Sequence, residues 1–373
     1  MTLSVFLDLS KAFDTIDHNI LLKKLIHYGI RGTSHDWFKS YLQNRQQYVK
    51  YKSYNSVSLN VDCGVPQGSV LGPLLFILYT NDLPNCLSKT SSILFADDTT
   101  VYISGENKKS MFHDMKTDLE ELIEWFRANK LSLNLSKTNY VLFVPPKLKL
   151  RDNTPKSQCI LKFGNEEIVQ KPNTKFLGIE MDEHFNWFAH YKSLNSKLSR
   201  AIYTLNRVKH ILPIESMKML YYSLFHSHLT YGLLLWGPNI KTDLLNKIFL
   251  KQKRLIRIVH NAKYNIHTDP LFKESKILKL NEMIECEILK LVYLYTKDQL
   301  PMPLMNVFSY NVITYSTRQK NVPLKRKCNY DPLSKSFIAK GPKLWDDIPN
   351  DIKNCTHVKS FCSRLKKIML EKY

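Results

Sequence analysis

The sequence Phe95-Ala96-Asp97-Asp98 places two adjacent carboxylates between two short apolar segments, residues 92–94 (Ser-Ile-Leu) and 100–103 (Thr-Val-Tyr-Ile). This alternation predicts a β-hairpin that carries both carboxylates at its turn. Two neighbouring ionised carboxylates repel each other, and placing them against apolar strands costs free energy. A divalent cation removes that cost. The pair therefore predicts a magnesium site that a third carboxylate completes.

A strand pattern near the start of the chain supplies this third carboxylate. Residues 3–7 (Leu-Ser-Val-Phe-Leu) end in Asp8. A helix cap after a strand is the alternative interpretation of Asp8, but the Asp97-Asp98 pair favours a metal ligand. Between the two sites, residues 64–69 (Gly-Val-Pro-Gln-Gly-Ser) precede a long apolar segment.

The order of these three motifs resembles the palm of a reverse transcriptase. The residues of these motifs are most similar to those of non-LTR (LINE-type, Jockey-like) retrotransposon polymerases. Residues 220–237 resemble the region that follows the palm in Jockey-type elements. The resemblance implies an RNA-directed DNA polymerase that transfers nucleotides from dNTPs to a primer 3′-hydroxyl by two-metal catalysis. Asp8, Asp97 and Asp98 are then the catalytic residues and the ligands of Mg²⁺, with Mn²⁺ as the alternative ion.

The resemblance also implies roles for residues around this site. Phe13 is the aromatic residue that lies under the sugar of the incoming nucleotide and excludes a 2′-hydroxyl; a core aromatic is the alternative. Gln67 and Gly68 form the turn that contacts nucleotide and template. Lys137 is a general acid for the departing pyrophosphate. Phe176, Leu177 and Gly178 form the primer-grip hairpin.

The hydrophobic periodicity predicts an α+β fold. Residues 1–185 read as a palm, a split βαβ antiparallel sheet with helices on one face and a partial fingers insertion near residues 20–62. Residues 190–300 read as a helical, thumb-like region with an apolar back and a basic front. Residues 301–373 form a basic C-terminal extension, in which residues 301–350 look irregular and a last helix covers residues 359–372.

Further elements are predicted from local patterns. We expect Asp14 and Asp17 to cap helices, a buried helix within residues 219–236 and a polar connector at residues 145–158. The expected helices are residues 20–28, 37–42, 70–83, 107–129 and 247–257, with another beginning at residue 190, and the expected strands are residues 47–51, 56–61, 140–144, 159–163 and 175–181.

The charge of the chain is concentrated in its second half. Residues 1–189 carry 22 Lys and Arg against 20 Asp and Glu, whereas residues 190–373 carry 32 against 13, which gives most of the formal net charge of +21. This excess predicts a polyanionic partner, namely an RNA template and a DNA primer duplex; a solvated basic surface is the alternative. Seven cysteines without a Cys-x-x-Cys pair favour reduced thiols over disulfides or a zinc site.

One departure from the family concerns its fingers. In the family a fingers subdomain precedes the strand that ends in the first aspartate, whereas Asp8 lies seven residues after Met1. We therefore expect weak or no activity from this chain as given, which leaves two interpretations: a polymerase, or an inactive retrotransposon remnant that only binds nucleic acid through its basic half. A group II intron maturase or retron polymerase shares the motifs.

The sequence contains no signal peptide or apparent transmembrane span, and we expect an intracellular protein of the nucleus or cytoplasm with no membrane partner.

Overall fold

The computed structural model of the chain describes residues 1–144, 159–305, 307–308 and 335–373. Helices and strands are mixed, as the predicted α+β class requires. The residues divide into two compact units, one formed by residues 1–177 and 182–184 and the other by residues 178–181 and 185–373. The predicted connector at residues 145–158 lies outside the described residues.

A five-stranded sheet organises the first unit. Thr2–Asp8 pairs antiparallel with both Asp98–Ser104 and Asn139–Phe143. Ser91–Phe95 forms one edge of this sheet, antiparallel to its neighbour, and Val169–Gln170 forms the other, parallel to its neighbour. The sheet is therefore mixed, and the prediction of a wholly antiparallel sheet was wrong at Val169–Gln170, a two-residue strand too short to show periodicity.

Four α-helices of the first unit are His18–His27, Thr33–Leu42, Leu71–Thr80 and Lys108–Ala128, and a 3₁₀ turn covers Leu83–Cys86. Asp17 caps the first of them by accepting hydrogen bonds from the amides of Asn19 and Ile20. The longest buries the apolar face that its period predicts, including Met115, Leu119 and Leu122.

The remaining strands of the chain are short. Arg45–Gln47 pairs with Leu59–Val61 and Lys50–Tyr51 pairs with Tyr54–Asn55, so the two strands predicted here are interrupted. Near the end of the first unit the strands are Lys162–Phe163, Glu166–Glu167, Asn173–Phe176 and Ile179–Asp182. The boundary between the two units falls within the hairpin formed by the last two strands.

The second unit is helical, with the α-helices Phe188–Val208, Ile214–Leu220, Ser227–Thr230, Leu233–Trp236, Thr242–Val259, Asp269–Ser275, Leu280–Thr296, Phe337–Asp346, Asn350–Lys353 and Val358–Glu371. A π-helix covers Tyr221–His226 and a 3₁₀ turn covers Met302–Leu304. The helix predicted within residues 219–236 is therefore divided, since Gly232 adopts φ +61°. No helix of the described part of the chain is long and apolar enough to span a membrane.

The prediction of an irregular segment at residues 301–350 was wrong for Phe337–Asp346. This helix contains Pro342, a residue that normally interrupts helices. Its buried face includes Ala339, Pro342 and Trp345 and packs on Leu280–Thr296. The hydrophobic contact outweighs the local helix-breaking preference, which composition alone does not reveal.

Candidate active site

Asp8 and Asp98 lie directly opposite each other on neighbouring antiparallel strands. The register that pairs Thr2 with Ser104 ends at this pair. Opposite residues of an antiparallel pair project from the same face of the sheet, with Cβ atoms about 5 Å apart. The two carboxylates, which are 90 residues apart in sequence, are therefore neighbours because of the sheet register.

Asp97 lies in the tight turn beside this pair. Phe95 pairs with Asp98, which leaves Ala96 and Asp97 as the two turn residues. Ala96 adopts φ +51°, a left-handed backbone conformation that residues other than glycine rarely adopt. Asp97 and Asp98 are both exposed. The hairpin predicted from the sequence is confirmed, and its strained turn presents two carboxylates to solvent.

The electrostatics of the site are those of excess negative charge. Partial burial raises the pKa of Asp98, and the negative charges of Asp97 and Asp8 raise that pKa further. The Lys137 ammonium lies 3.7 Å from an Asp8 carboxylate oxygen and offsets part of this charge. Within the described ranges, no three His, Cys, Asp or Glu side chains are gathered closely enough to hold a metal ion as they stand.

A small cavity of about 90 Å³ lies beside Asp8 and Asp98. Lys137 and Phe176 also line it, so the structure brings together residues predicted for the metal site, the triphosphate and the primer grip. The Phe176 ring lies 5.9 Å from the ring of Phe6 on the strand that ends in Asp8. Leu177 and Gly178 adopt φ +46° and +83° at the turn of this hairpin and do not line the cavity.

Gln67 lines a different and larger cavity, of about 770 Å³, together with Lys11, Asp14 and Arg45. Its side-chain amide donates a hydrogen bond to Asp14 over 2.8 Å. The prediction that Asp14 caps a helix was therefore wrong, because its carboxylate orients Gln67 instead. The following Gly68 adopts φ +80° with open space where a side chain would begin.

The segment after Asp8 holds this turn in place. The Gly64 amide donates to the Ile16 carbonyl and the Val65 amide donates to the Phe13 carbonyl, each over 2.8 Å. The His18 ring bonds the Gly64 carbonyl at 2.7 Å. Phe13 itself is partly buried, with its ring 4.9 Å from that of buried Phe76. Backbone pairing therefore connects the Asp8 and Gln67 motifs.

Sequence reasoning missed two residues that support the site. Asp118 is fully buried in the long helix Lys108–Ala128. It accepts hydrogen bonds from the backbone and side chains of Ser88 and Thr90 and from the amide of Lys89, just before the hairpin strand begins. Thr138 is 1% exposed, and its hydroxyl accepts from the Asp8 amide. An acidic residue among the apolar positions 115, 119 and 122 is the only sequence signal for Asp118.

The basic residues predicted for a duplex-binding face lie off the buried stripe of Phe188–Val208. Lys192, Arg200 and Arg207 are exposed, while Leu194, Leu198 and Leu205 are buried. The six cysteines in the described part of the chain are free thiols; Cys328 lies outside it.

Comparison with known proteins shows what the chain is similar to. The family model described as reverse transcriptase (RNA-dependent DNA polymerase) matches residues 1–181. The probable RNA-directed DNA polymerase from transposon X-element of Drosophila melanogaster is 28% identical over 283 residues, and that from the mobile element jockey of the same organism is 25% identical over 292 residues. These matches support a reverse transcriptase. The two named relatives come from mobile elements, in agreement with the non-LTR, LINE-type resemblance of the sequence motifs.

These alignments cover 74% and 75% of this chain but only 30% and 31% of the two relatives. The chain thus spans less than a third of the relatives' length. A Pol polyprotein from a type-1 retrotransposable element R1 of Bradysia coprophila is 28% identical over 67% of this chain and 24% of its own length. A structure of telomerase from Candida albicans with a telomeric RNA fragment is similar in fold, with a TM-score of 0.42 and 10% sequence identity. The match covers 74% of this chain and 51% of the telomerase chain.

Proposed function

We propose that this chain carries the polymerase region of a retrotransposon reverse transcriptase, which adds dNTPs to a primer 3′-hydroxyl in the order set by an RNA template. The observation that carries the proposal is the pairing of Asp8 with Asp98, with Asp97 at the adjacent turn. In this assignment residues 1–185 are the palm, with partial fingers near residues 20–62. Residues 190–300 are the thumb and residues 301–373 are a basic extension.

Asp8, Asp97 and Asp98 would hold Mg²⁺, or Mn²⁺. Their oxygens are the hard ligands that these ions prefer. Partial burial and then the charges of Asp97 and Asp8 raise the pKa of Asp98, and a cation would neutralise those charges. Such ions would activate the primer hydroxyl and stabilise the charge that develops on the α-phosphate. The carboxylates would hold the ions, whose positive charge would offset the carboxylates' mutual repulsion.

Lys137 is the proton donor that we assign to the leaving pyrophosphate. Its side chain is 68% exposed, and its ammonium lies near Asp8, on the side of the sheet where the reaction is proposed. An ammonium at this position also stabilises negative charge on the triphosphate. Its exposure and its charge suit a donor to a bound triphosphate.

Substrate contacts are assigned to the surrounding turns. Gln67, held by Asp14, and Gly68 would contact the nucleotide and template. Phe13 would lie under the sugar and exclude a 2′-hydroxyl. Phe176, Leu177 and Gly178 would hold the primer end, supported by the position of Phe176 on the cavity beside Asp8.

Primer extension tests this proposal. The full chain is incubated with a DNA primer on an RNA template, dNTPs and Mg²⁺, in parallel with Asp97→Asn and the control Asp36→Asn, whose carboxylate is 78% exposed. Extension by the wild type and the control, and a loss of at least about 100-fold in Asp97→Asn, supports the proposal. Extension that persists in Asp97→Asn would overturn it.

A second candidate function is nucleic-acid binding without catalysis. The excess of basic residues in residues 190–373 favours it. Replacing the exposed Lys192, Arg200 and Arg207 by Ala should make binding of single-stranded RNA less dependent on salt. The negative slope of log affinity against log salt concentration should decrease in magnitude by about 2. Replacing exposed Lys39 and Lys109 in the first unit is the control. Binding with this salt dependence but no extension by the wild type would favour the second candidate.

A further inference from the structure

The strand that ends in Asp8 extends beyond one of the two strands paired with it. Asn139–Phe143 pairs with it only from Thr2 to Phe6, two residues before Asp8. Residues 132–138 then take over as the neighbour. The Ser10 amide donates to the Ser132 carbonyl over 2.8 Å, and the Asn134 amide donates to the Asp8 carbonyl over 2.7 Å. A turn, not a strand, therefore holds the backbone at Asp8 on this side.

Thr138 closes this turn around Asp8. Its hydroxyl accepts a hydrogen bond from the Asp8 amide over 3.3 Å and donates one to the Asn134 carbonyl over 3.0 Å. The amide and the carbonyl of Asp8 are thus both bound by residues of the same turn. At 1% exposure the Thr138 hydroxyl is shielded from water, so no solvent molecule replaces it at low cost.

The same turn also fixes Lys137. The Lys137 amide donates to the Asn134 carbonyl over 3.1 Å, and the side-chain amide of Asn139 donates to the Lys137 carbonyl over 2.9 Å. Asn139 is itself buried. The backbone of Lys137 is therefore held on both sides, with its ammonium 3.7 Å from the Asp8 carboxylate.

We propose that Thr138 is a positioning residue for the reaction: its hydroxyl holds the backbone of Asp8 against the turn that carries Lys137, and so sets where the Asp8 and Lys137 side chains begin. The proposal rests on the proposed function, in which Asp8 binds the cation and Lys137 supplies the proton. In this proposal Thr138 contacts neither the substrate nor the ion. It acts through the backbone of Asp8 and through the turn that carries Lys137.

The variants separate the hydroxyl from the shape of the side chain. Thr138→Val removes the hydroxyl at nearly constant volume, whereas Thr138→Ser keeps the hydroxyl. Thr80→Val is the matched control, because Thr80 is also buried and its hydroxyl bonds only carbonyls within its own helix. Each full-length variant is first checked for a wild-type circular dichroism spectrum.

Three measurements are compared. Electron paramagnetic resonance gives the Kd for Mn²⁺ alone, without nucleic acid. Single-nucleotide extension gives kcat and KM for a dNTP. Hydrogen exchange read by NMR gives the protection of the Asp8 amide.

The proposal predicts that Thr138→Val weakens Mn²⁺ binding about tenfold and lowers kcat about tenfold, with little change in KM. Exchange at the Asp8 amide accelerates about tenfold as well. Thr138→Ser stays within about threefold of the wild type and Thr80→Val matches the wild type in all three measurements. Wild-type values in Thr138→Val, or equal losses in Thr138→Val and Thr80→Val, would overturn the proposal.

Failure of the proposed function gives a different result. A wild type that neither binds Mn²⁺ nor extends a primer contradicts the reverse transcriptase activity and overturns the catalytic part of this inference. The exchange rate of the Asp8 amide still decides the positional part. Faster exchange in Thr138→Val but not in Thr138→Ser supports it, and identical rates overturn it.

Discussion

Asp8 and Asp98 are paired residues on adjacent antiparallel strands, and this pairing ends the register between Thr2–Asp8 and Asp98–Ser104. The sheet core beneath them, with Leu3, Val5 and Val101 fully buried, holds the two carboxylates together against their repulsion. The hydrophobic core thus stabilises an arrangement that is electrostatically unfavourable without a cation.

Asp98→Asn should stabilise the metal-free protein near neutral pH. The pKa of Asp98 is raised by burial and by Asp97 and Asp8, so the folded state binds its proton more tightly than the unfolded chain. Stability is therefore lost as the pH rises from 3.8 through the raised folded pKa. We expect a higher Tm for Asp98→Asn at pH 7, with no such gain at pH 3, where the carboxyl is protonated in both states.

The same variant should lose the stabilisation that Mg²⁺ gives. Adding Mg²⁺ should raise the Tm of the wild type and of Asp36→Asn but not that of Asp98→Asn, measured by differential scanning calorimetry. A Tm for Asp98→Asn below that of the wild type at pH 7 would contradict this account of the site.

Asp118→Asn should destabilise the first unit by about 3 kcal/mol, because a fully buried carboxylate loses charge-assisted hydrogen bonds from Ser88, Lys89 and Thr90. Burial alone would raise its pKa, but these hydrogen bonds outweigh burial and hold the pKa below its ordinary value of 3.8. Its stabilisation is thus present above pH 3.8 and is lost as the pH falls through the lowered folded pKa.

Urea unfolding at pH 7 measures the effect of Asp118→Asn. Asp114 on the same helix is half-buried and bonds only Ser110 among the contacts described, and Asp114→Asn should change the free energy of unfolding by less than about 0.5 kcal/mol. Equal effects of the two substitutions would exclude Asp118 as the anchor of the hairpin.

His190 should make the stability of the second unit depend on pH. It is buried beside Trp236, and neither ring nitrogen has a hydrogen-bond partner among the described residues. Burial, assisted by the charge of Lys197, lowers its pKa from 6.5 to about 4. The unfolded chain therefore takes up a proton between pH 6.5 and pH 4 that the folded chain does not, and stability falls as the pH falls through this window.

The expected loss over this window is on the order of 1–3 kcal/mol. Urea unfolding of wild type and His190→Gln at several pH values tests it, with exposed His210→Gln as the control. The wild type and the control should lose stability as the pH falls, whereas His190→Gln should lose less. An unchanged slope in His190→Gln would show that other groups cause the dependence.

Gly64→Ala should disturb the turn that carries Gln67. Gly64 adopts φ +82°, and a Cβ there would lie 2.8 Å from the Asp14 carbonyl oxygen. Gly29 is the matched control, since it adopts φ +89° but a Cβ would meet nothing within 4 Å. Gly29→Ala should cost about 1 kcal/mol of stability from backbone strain alone.

Gly64→Ala should cost more than Gly29→Ala and should also raise the KM for dNTP, because displacing Asp14 releases Gln67. Chemical unfolding and single-nucleotide extension measure the two effects. If Gly64→Ala has the same KM for dNTP as Gly29→Ala, the turn that carries Gln67 does not contribute to nucleotide binding.

Some parts of the fold are predictable from local pattern and others are not. The hairpin around Asp97, the long helix Lys108–Ala128 and the stripe of Phe188–Val208 follow from alternation and helical period, which burial on one face imposes directly on sequence. The helix with Pro342 and the parallel strand Val169–Gln170 depend on tertiary partners, which leave no periodic signal in so few residues.

The site shows the same division. Asp97 and Asp98 were predicted as site residues because two adjacent carboxylates beside apolar strands cost free energy unless a cation offsets their repulsion, and Asp8 was predicted as the third carboxylate of that site. Thr138 bonds Asp8, which is 130 positions away in sequence, and Asp118 bonds Ser88, which is 30 positions away. No local sequence pattern marks either residue. The roles of Asp14 and Asp17, which look alike in sequence, were separated only by the position of Gln67.

Template-directed addition of a single dNTP is the most direct test of the central claim. Four RNA templates that differ only in the first templating base are each annealed to the same DNA primer and given each dNTP with Mg²⁺. The account predicts that the wild-type chain adds only the complementary nucleotide on each template and that Asp8→Asn, folded by circular dichroism, adds none. Addition that ignores the template base, or that persists in Asp8→Asn, would contradict it.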